Sequence, residues 1–116
     1  MSKNKEIGRK GESIAVDYLI KKGFTVLEKN FTYHRFEIDI IAKIKNTLVF
    51  IEVKTRQSHK FGYPEEAVDN KKIDHILDCA DHYIYQIQWD GNIRFDIVSI
   101  LFKPKLLINH IEDAFY

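Results

Sequence analysis

Apolar and polar positions change period several times along the 116 residues, and each change predicts an element. From about Glu6 to Lys22 the spacing is helical. Ile7, Ile14, Ala15, Tyr18 and Leu19 fall on one broad arc, and Gly23 follows as the residue that lets the chain leave the helix. FTVLEKNF (24–31) reads as a first strand, and FEIDIIAKIKNTLVFIEVKTR (36–56) as two more joined by a Lys45-Asn46 turn. A polar loop, TRQSHKFGYPEE, runs from 55 to 66. A second helix carries Val68, Ile73, Ile76, Leu77, Ala80, Tyr83, Ile84 and Ile87 at helical spacing. Pro64 suits its first turn, and Glu65 and Glu66 suit the positive end of its dipole. WDGN (89–92) is a turn, and IRFDIVSILF (93–102) is a largely buried strand that Pro104 ends. The closing NHIEDAFY reads as a short helix, with Asn109 and Glu112 at capping-box spacing. The expected order is α-β-β-β-α-β-α: one mixed α/β domain over residues 1–116, a central mixed sheet flanked by helices.

Charges interrupt these strands where a buried sheet has no use for them. By alternation, Ile38, Ile40 and Ala42 share one face of the second strand, and Glu37, Asp39 and Ile41 the other. On the third strand Val49, Ile51 and Val53 oppose Phe50, Glu52 and Lys54. A two-residue turn at Lys45-Asn46, with Asn46 supplying the tolerance for positive φ, sets the register by counting. Asp39 then faces Glu52, Glu37 faces Lys54, and Ile41 faces Phe50. Two carboxylates side by side at about 4 Å repel by roughly 4 kcal/mol at an effective dielectric near 20. A divalent cation would remove that repulsion, and hard cations such as Mg²⁺ choose oxygen ligands of this kind. Glu12 falls within the apolar arc of the first helix, where a carboxylate could reach the same cation. Each charge alone has an ordinary structural explanation, an edge-strand pair or a buried salt bridge. Four together favour a shared site.

Composition narrows the class. Hydrophobic residues make up 45% and aromatics 13% of the chain, enough for one core. A formal net charge of +1 neither demands nor excludes nucleic acid, so a basic surface must be local. The lone Cys79 allows no internal disulfide framework and reads as core filling. With a polar start and no apolar span, the expectation is a cytoplasmic protein with no membrane partner. His34, His59, His75 and His82 show no ligand spacing, and nothing resembles a nucleophile elbow, a P-loop or a dinucleotide fingerprint.

GRKGESIAVDYLIKKGFTVLEKN, EIDIIA, VFIEVKTR, FGYPEEAV, RFDIV and HIEDAF together resemble the YraN family, from about Gly8 to Phe115. Their centre, Asp39 followed by Glu52-Val53-Lys54, is similar to the PD-(D/E)xK nuclease signature in the variety found in archaeal Holliday-junction resolvases. One departure is Ile38, which stands where the motif name has proline. The resemblance implies a restriction-endonuclease-like fold and a metal-dependent endonuclease acting on DNA, branched or damaged DNA among its expected substrates. It implies that Asp39, Glu52, the backbone carbonyl of Val53 and Glu12 hold Mg²⁺ or Mn²⁺, and that Lys54 orients the attacking water or neutralises charge on the phosphate. The products would be a 5′-phosphate and a 3′-hydroxyl. It further suggests a homodimer, since a junction needs two cuts.

Arg56, His59, Lys60, Phe61 and Tyr63 on the following loop combine basic and aromatic groups suited to phosphate contact and base stacking. A solvated loop is the competing reading. Lys72 matches a lysine of the family pattern and is a further candidate for nucleic-acid contact. Lys3, Lys5, Arg9 and Lys10 read as a solvated basic helix start, and Asp96 as a structural salt-bridge partner near Arg94. Two other functions compete with a nuclease: a nucleic-acid-binding module that keeps the fold without cleavage, and an interaction domain whose charges form a salt-bridge network.

Overall fold

The structure, a computed structural model, describes residues 3–58 and 70–115. Helix α1 (Lys3–Lys21) leads into β1 (Thr25–Tyr33), β2 (Phe36–Ile44) and β3 (Thr47–Ser58); α2 (Asn70–Ile87), β4 (Asn92–Lys103) and β5 (Leu107–Ile111) follow. The strands form one sheet in sequence order. β1–β2, β2–β3 and β4–β5 pair antiparallel, and β3–β4 is the parallel pair at the centre, joined through α2.

Each face of the sheet is closed by one helix. On one side Ala15 and Leu19 of α1 pack with Phe24, Ile40, Ala42, Val49, Ile51, Val53, Val98 and Ile100. On the other, Ile76, Cys79, Ala80 and Tyr83 of α2 pack with Ile38, Ile41, Leu48, Phe50 and Phe95. Residues 48–53 are therefore buried on both faces, which explains their unbroken apolar run apart from Glu52.

Both helices end in the same way. Phe24 N–H donates to Leu19 carbonyl oxygen and Gly23 N–H to that of Ile20, with Gly23 at φ 104°, the left-handed cap expected there. Gln88, at φ 54°, does the same for α2, its N–H donating to Tyr85 and that of Trp89 to Ile84. The Lys45-Asn46 turn joins Ile44 to Thr47 as counted, and Ile41 pairs with Phe50. The positive φ, however, falls on Lys45, at 53°, and not on Asn46.

Two expectations are corrected. The final segment is a strand, not a helix. Ile108 and His110 alternate inward against more exposed Leu107 and Asn109, and β5 satisfies the backbone groups of β4 that a helix would leave unpaired. Ile38 does not share the face of Ile40; it packs with Ile41 on the α2 side. The alternation breaks at Asp39, for a reason that belongs to the site. Pro64, Glu65, Glu66 and Val68, named for the start of the second helix, lie outside the described residues.

Candidate functional site

The sheet opens at Asp39. The β2–β3 ladder runs from Ile44–Thr47 to Ile40–Ile51 and records no pair beyond it. In its place, Val53 N–H donates to Asp39 Oδ2 at 2.8 Å, so a side chain takes the position of a backbone acceptor. On the other edge of β2, the β1 residue across from Asp39 is Asn30, which adopts φ 54° and makes no ladder pair. β3 makes no ladder pair at Asp39, while β1 keeps one register on both sides of it, Lys29 with Ile40 and Phe31 with Ile38. This break carries Ile38 to the α2 side. β3 continues beyond the gap, held in register by β4 from Thr47–Asn92 through Arg56–Leu101. Glu52 and Lys54 are thus fixed while β2 departs.

Three carboxylates gather at the opening: ligand oxygens of Glu12, Glu37 and Asp39 lie within 4.8 Å of one another. Alternation had turned Glu37 toward Lys54; the break at Asp39 brings it to Glu12 instead. Glu37 is the site residue that sequence reasoning missed. The one local signal was its spacing, a second carboxylate two residues before Asp39 in a strand that is otherwise buried. Burial raises the Glu12 and Glu37 carboxyls above the ordinary range, and the charge of Asp39 raises both further. A hydrogen bond with Asn30 partly offsets the shift at Glu12.

Asp39 is the most perturbed group. Burial, then the hydrogen bond and charge of the neighbouring Glu52, push its carboxyl up to about 8 against the opposing Val53 N–H. Glu52 is only 4% exposed, and its Oε2 is buried without a hydrogen bond. That oxygen lies 3.3 Å from Lys72 Nζ, an ion pair by distance whose geometry makes no hydrogen bond. Its charge is compensated while its lone pair is not. Burial and the adjacent Lys72 lower the Lys54 ammonium. Burial also pulls on Lys72, but Glu52 and the contact with Lys54 outweigh it, and the net shift is upward.

The chemistry of this donor set fits a divalent cation. Carboxylates held close enough to raise one another, with a buried oxygen lacking a hydrogen bond, are stabilised by hard positive charge. Of the residues expected at the site, Asp39, Glu52, Lys54 and Glu12 lie at the opening, and Val53 fastens Asp39 through its N–H. Lys72 reaches Glu52 with its side chain partly exposed. Arg56 is exposed and turns Nη1–H back to the Thr55 carbonyl at 3.2 Å. Lys60 and Tyr63, with His59 and Phe61, lie outside the described residues. A cleft of about 530 Å³, lined by Arg9, Glu12, Ser13, Asp17, Lys29 and Asn30 among others, opens beside Glu12. A second, of about 630 Å³, shares Arg9 and Ser13 with it. No helix among the described residues is long and apolar enough to cross a membrane.

Gly11 sets the position of Glu12. It is buried where α1 crosses β3, and a Cβ there would overlap Thr55 Oγ1 and come within 2.8 Å of Thr55 Cγ2. Both branches of the threonine point at the gap, so a rotamer change exchanges one overlap for the other. Gly11→Ala is therefore expected to lift α1 from β3 and to cost about 1–3 kcal/mol in urea denaturation. Because Glu12 moves with the helix, its carboxylate should draw away from Glu37 and Asp39 in the same variant.

A family model described as "Uncharacterised protein family UPF0102" matches residues 11–100. The chain is 43% identical over 117 residues to a UPF0102 protein of Christiangramia forsetii, spanning 100% of this chain and 98% of the relative. It is 46% identical over 117 residues to one of Parabacteroides distasonis, spanning 100% and 97%. A third, from Caldicellulosiruptor bescii, is 49% identical over 116 residues, spanning 96% and 98%.

Proposed function

We propose that this chain, which belongs to the uncharacterised protein family UPF0102, is a divalent-metal-dependent endonuclease that hydrolyses phosphodiester bonds in DNA. Membership bears out the resemblance to the YraN family; the catalytic reading rests on the site. The observation that carries it is the opening of the sheet at Asp39, which sets three carboxylates within 4.8 Å of one another, with Glu52 as their buried neighbour and Lys54 beside it.

Asp39 and Glu52 would hold Mg²⁺ or Mn²⁺ with the Val53 carbonyl, and Glu12 and Glu37 would complete or orient the shell. The cation, when bound, supplies an activated water and positive charge against the scissile phosphate. Lys54 offers the developing negative charge on that phosphate an ammonium preorganised by its strand. Its partial burial strengthens that interaction relative to water. The cleft beside Glu12 carries Arg9 and Lys29 along with Asp17, and its two basic side chains suit contact with a phosphate. A PD-(D/E)xK relationship, DNA as substrate and a dimer that makes paired cuts all belong to this reading.

Lys54→Ala separates the two halves of the site. It is expected to lower the cleavage rate of a labelled DNA at saturating Mn²⁺ by about 10²–10³-fold, the usual loss for removing one preorganised electrostatic group. Mn²⁺ affinity by calorimetry should be retained or improved. Unchanged cleavage would remove Lys54 from the mechanism.

A further inference from the structure

We infer that Lys72 is a resident surrogate for the divalent cation: its ammonium compensates Glu52 in the cation-free protein and yields that place when the cation binds. The inference rests on the metal reading above and assigns a different role from the direct nucleic-acid contact expected of Lys72 from the sequence. Three observations carry it. Lys72 Nζ stands 3.3 Å from Glu52 Oε2, a buried oxygen with no hydrogen bond. At 3.3 Å the contact is longer than a well-formed charge-assisted hydrogen bond, and a small mobile cation can replace it at little geometric cost. The two partners differ in burial: the Glu52 side chain is 3% exposed and that of Lys72 42% exposed. The carboxylate is fixed within the central strand, while the ammonium sits at the end of a flexible stem from the first turn of α2 and can withdraw toward solvent.

Lys54 occupies the same neighbourhood from β3, so two ammonium groups already stand near the Glu52 carboxylate before any metal arrives. A divalent cation arriving at Glu52 would meet repulsion from both ammonium groups. Displacement of Lys72 relieves it, and the released ammonium becomes available to a phosphate arriving at the same opening. Lys72 is thus a positioning residue that keeps the acidic site intact and competes with the metal.

The test is calorimetric titration of Ca²⁺, which supports binding without requiring turnover, into the wild-type chain, Lys72→Met and Lys72→Arg. Lys72→Met should bind Ca²⁺ roughly tenfold tighter or better, because the competing charge is gone. Lys72→Arg should stay close to wild type. Cation-free Lys72→Met should melt below wild type, and saturating Ca²⁺ should close that difference. Lys72→Gln gives a second neutral variant if the methionine protein does not fold without cation. Wild-type binding with equal or weaker affinity in both neutral variants would overturn the surrogate role and leave the metal site standing. Absence of Ca²⁺ and Mn²⁺ binding in every protein would overturn the metal reading itself, and this inference with it.

Discussion

Asp96→Ala is expected to remove about 3–5 kcal/mol of stability, a large part of what holds a domain of this size together. Asp96 is fully buried, and every side of its carboxylate is engaged. Arg94 donates through Nε and Nη2 at 2.9 Å each, Asp113 N–H donates at 3.0 Å, and His110 Nε2 lies 2.7 Å from Oδ2. Alanine would take from the buried imidazole its carboxylate partner and leave the guanidinium only its longer contact to Glu112. It would also release the C-terminal strand, since β5 carries His110 and the turn after it carries Asp113. Burial alone pushes the Asp96 carboxyl up, but the bonds from His110, Arg94 and Asp113 overcome it and hold the group below the ordinary carboxylate range. A depressed folded value means stabilisation that is present above the unfolded value, near about 3.9, and lost as pH falls through the folded one. Urea denaturation from pH 7 down to pH 2 measures both effects. The wild type should lose stability below about pH 4, and Asp96→Ala should start lower with a flatter acid limb.

Asp39→Asn should act in the opposite direction on stability while removing function. The Asp39 carboxyl is raised to about 8 by burial and by the hydrogen bond and charge of Glu52. A raised folded value makes a contribution to stability that is full below the unfolded value and lost as pH rises toward the folded one. Without metal, the wild type should weaken between about pH 4 and pH 8 as this proton is lost. An asparagine amide imitates the protonated acid. Its oxygen can still accept the Val53 N–H, and its NH₂ can donate toward Glu52. In chelator at pH 8 the variant should be more stable than wild type, on the order of 1–3 kcal/mol, with the difference shrinking toward pH 4. Added Mn²⁺ should stabilise the wild type and not the variant, and metal-dependent cleavage should vanish. A sharp fall in metal-free stability would instead make Asp39 a structural salt-bridge partner.

These two residues divide what the sequence makes legible. Asp96 could be read as structural from RFD because Arg94 lies two residues before it, on the same side of one strand. The strand register near the Lys45-Asn46 turn was equally readable, since a two-residue loop leaves one way to count back to Ile41 and Phe50. The counted β2–β3 pairs stop past Ile40, where the Asp39 side chain takes the Val53 N–H, although Asp39 still neighbours Glu52 as counted. No local pattern in EIDIIA encodes that, so Ile38 was assigned to the wrong face, while Glu37 does lie with Asp39 as alternation had it. Lys72 was recognisable as a candidate, but its partner lies twenty residues earlier, across a crossover. NHIEDAFY misled for another reason: its capping-box spacing is a local preference, overridden by the backbone groups of β4 that required an edge strand. Local rules placed the elements, and long-range pairing placed the charges.

The most direct test of the metal-dependent nuclease is a cleavage assay on four-way-junction, flap, single-stranded and linear duplex DNA. Each is incubated with Mg²⁺ or Mn²⁺ and with chelator, and the Asp39→Asn protein runs beside the wild type to expose any contaminating nuclease. The account predicts cuts that need the cation, leave a 5′-phosphate, and disappear in the variant. DNA binding with no cleavage of any substrate, or equal cleavage by Asp39→Asn, would contradict it.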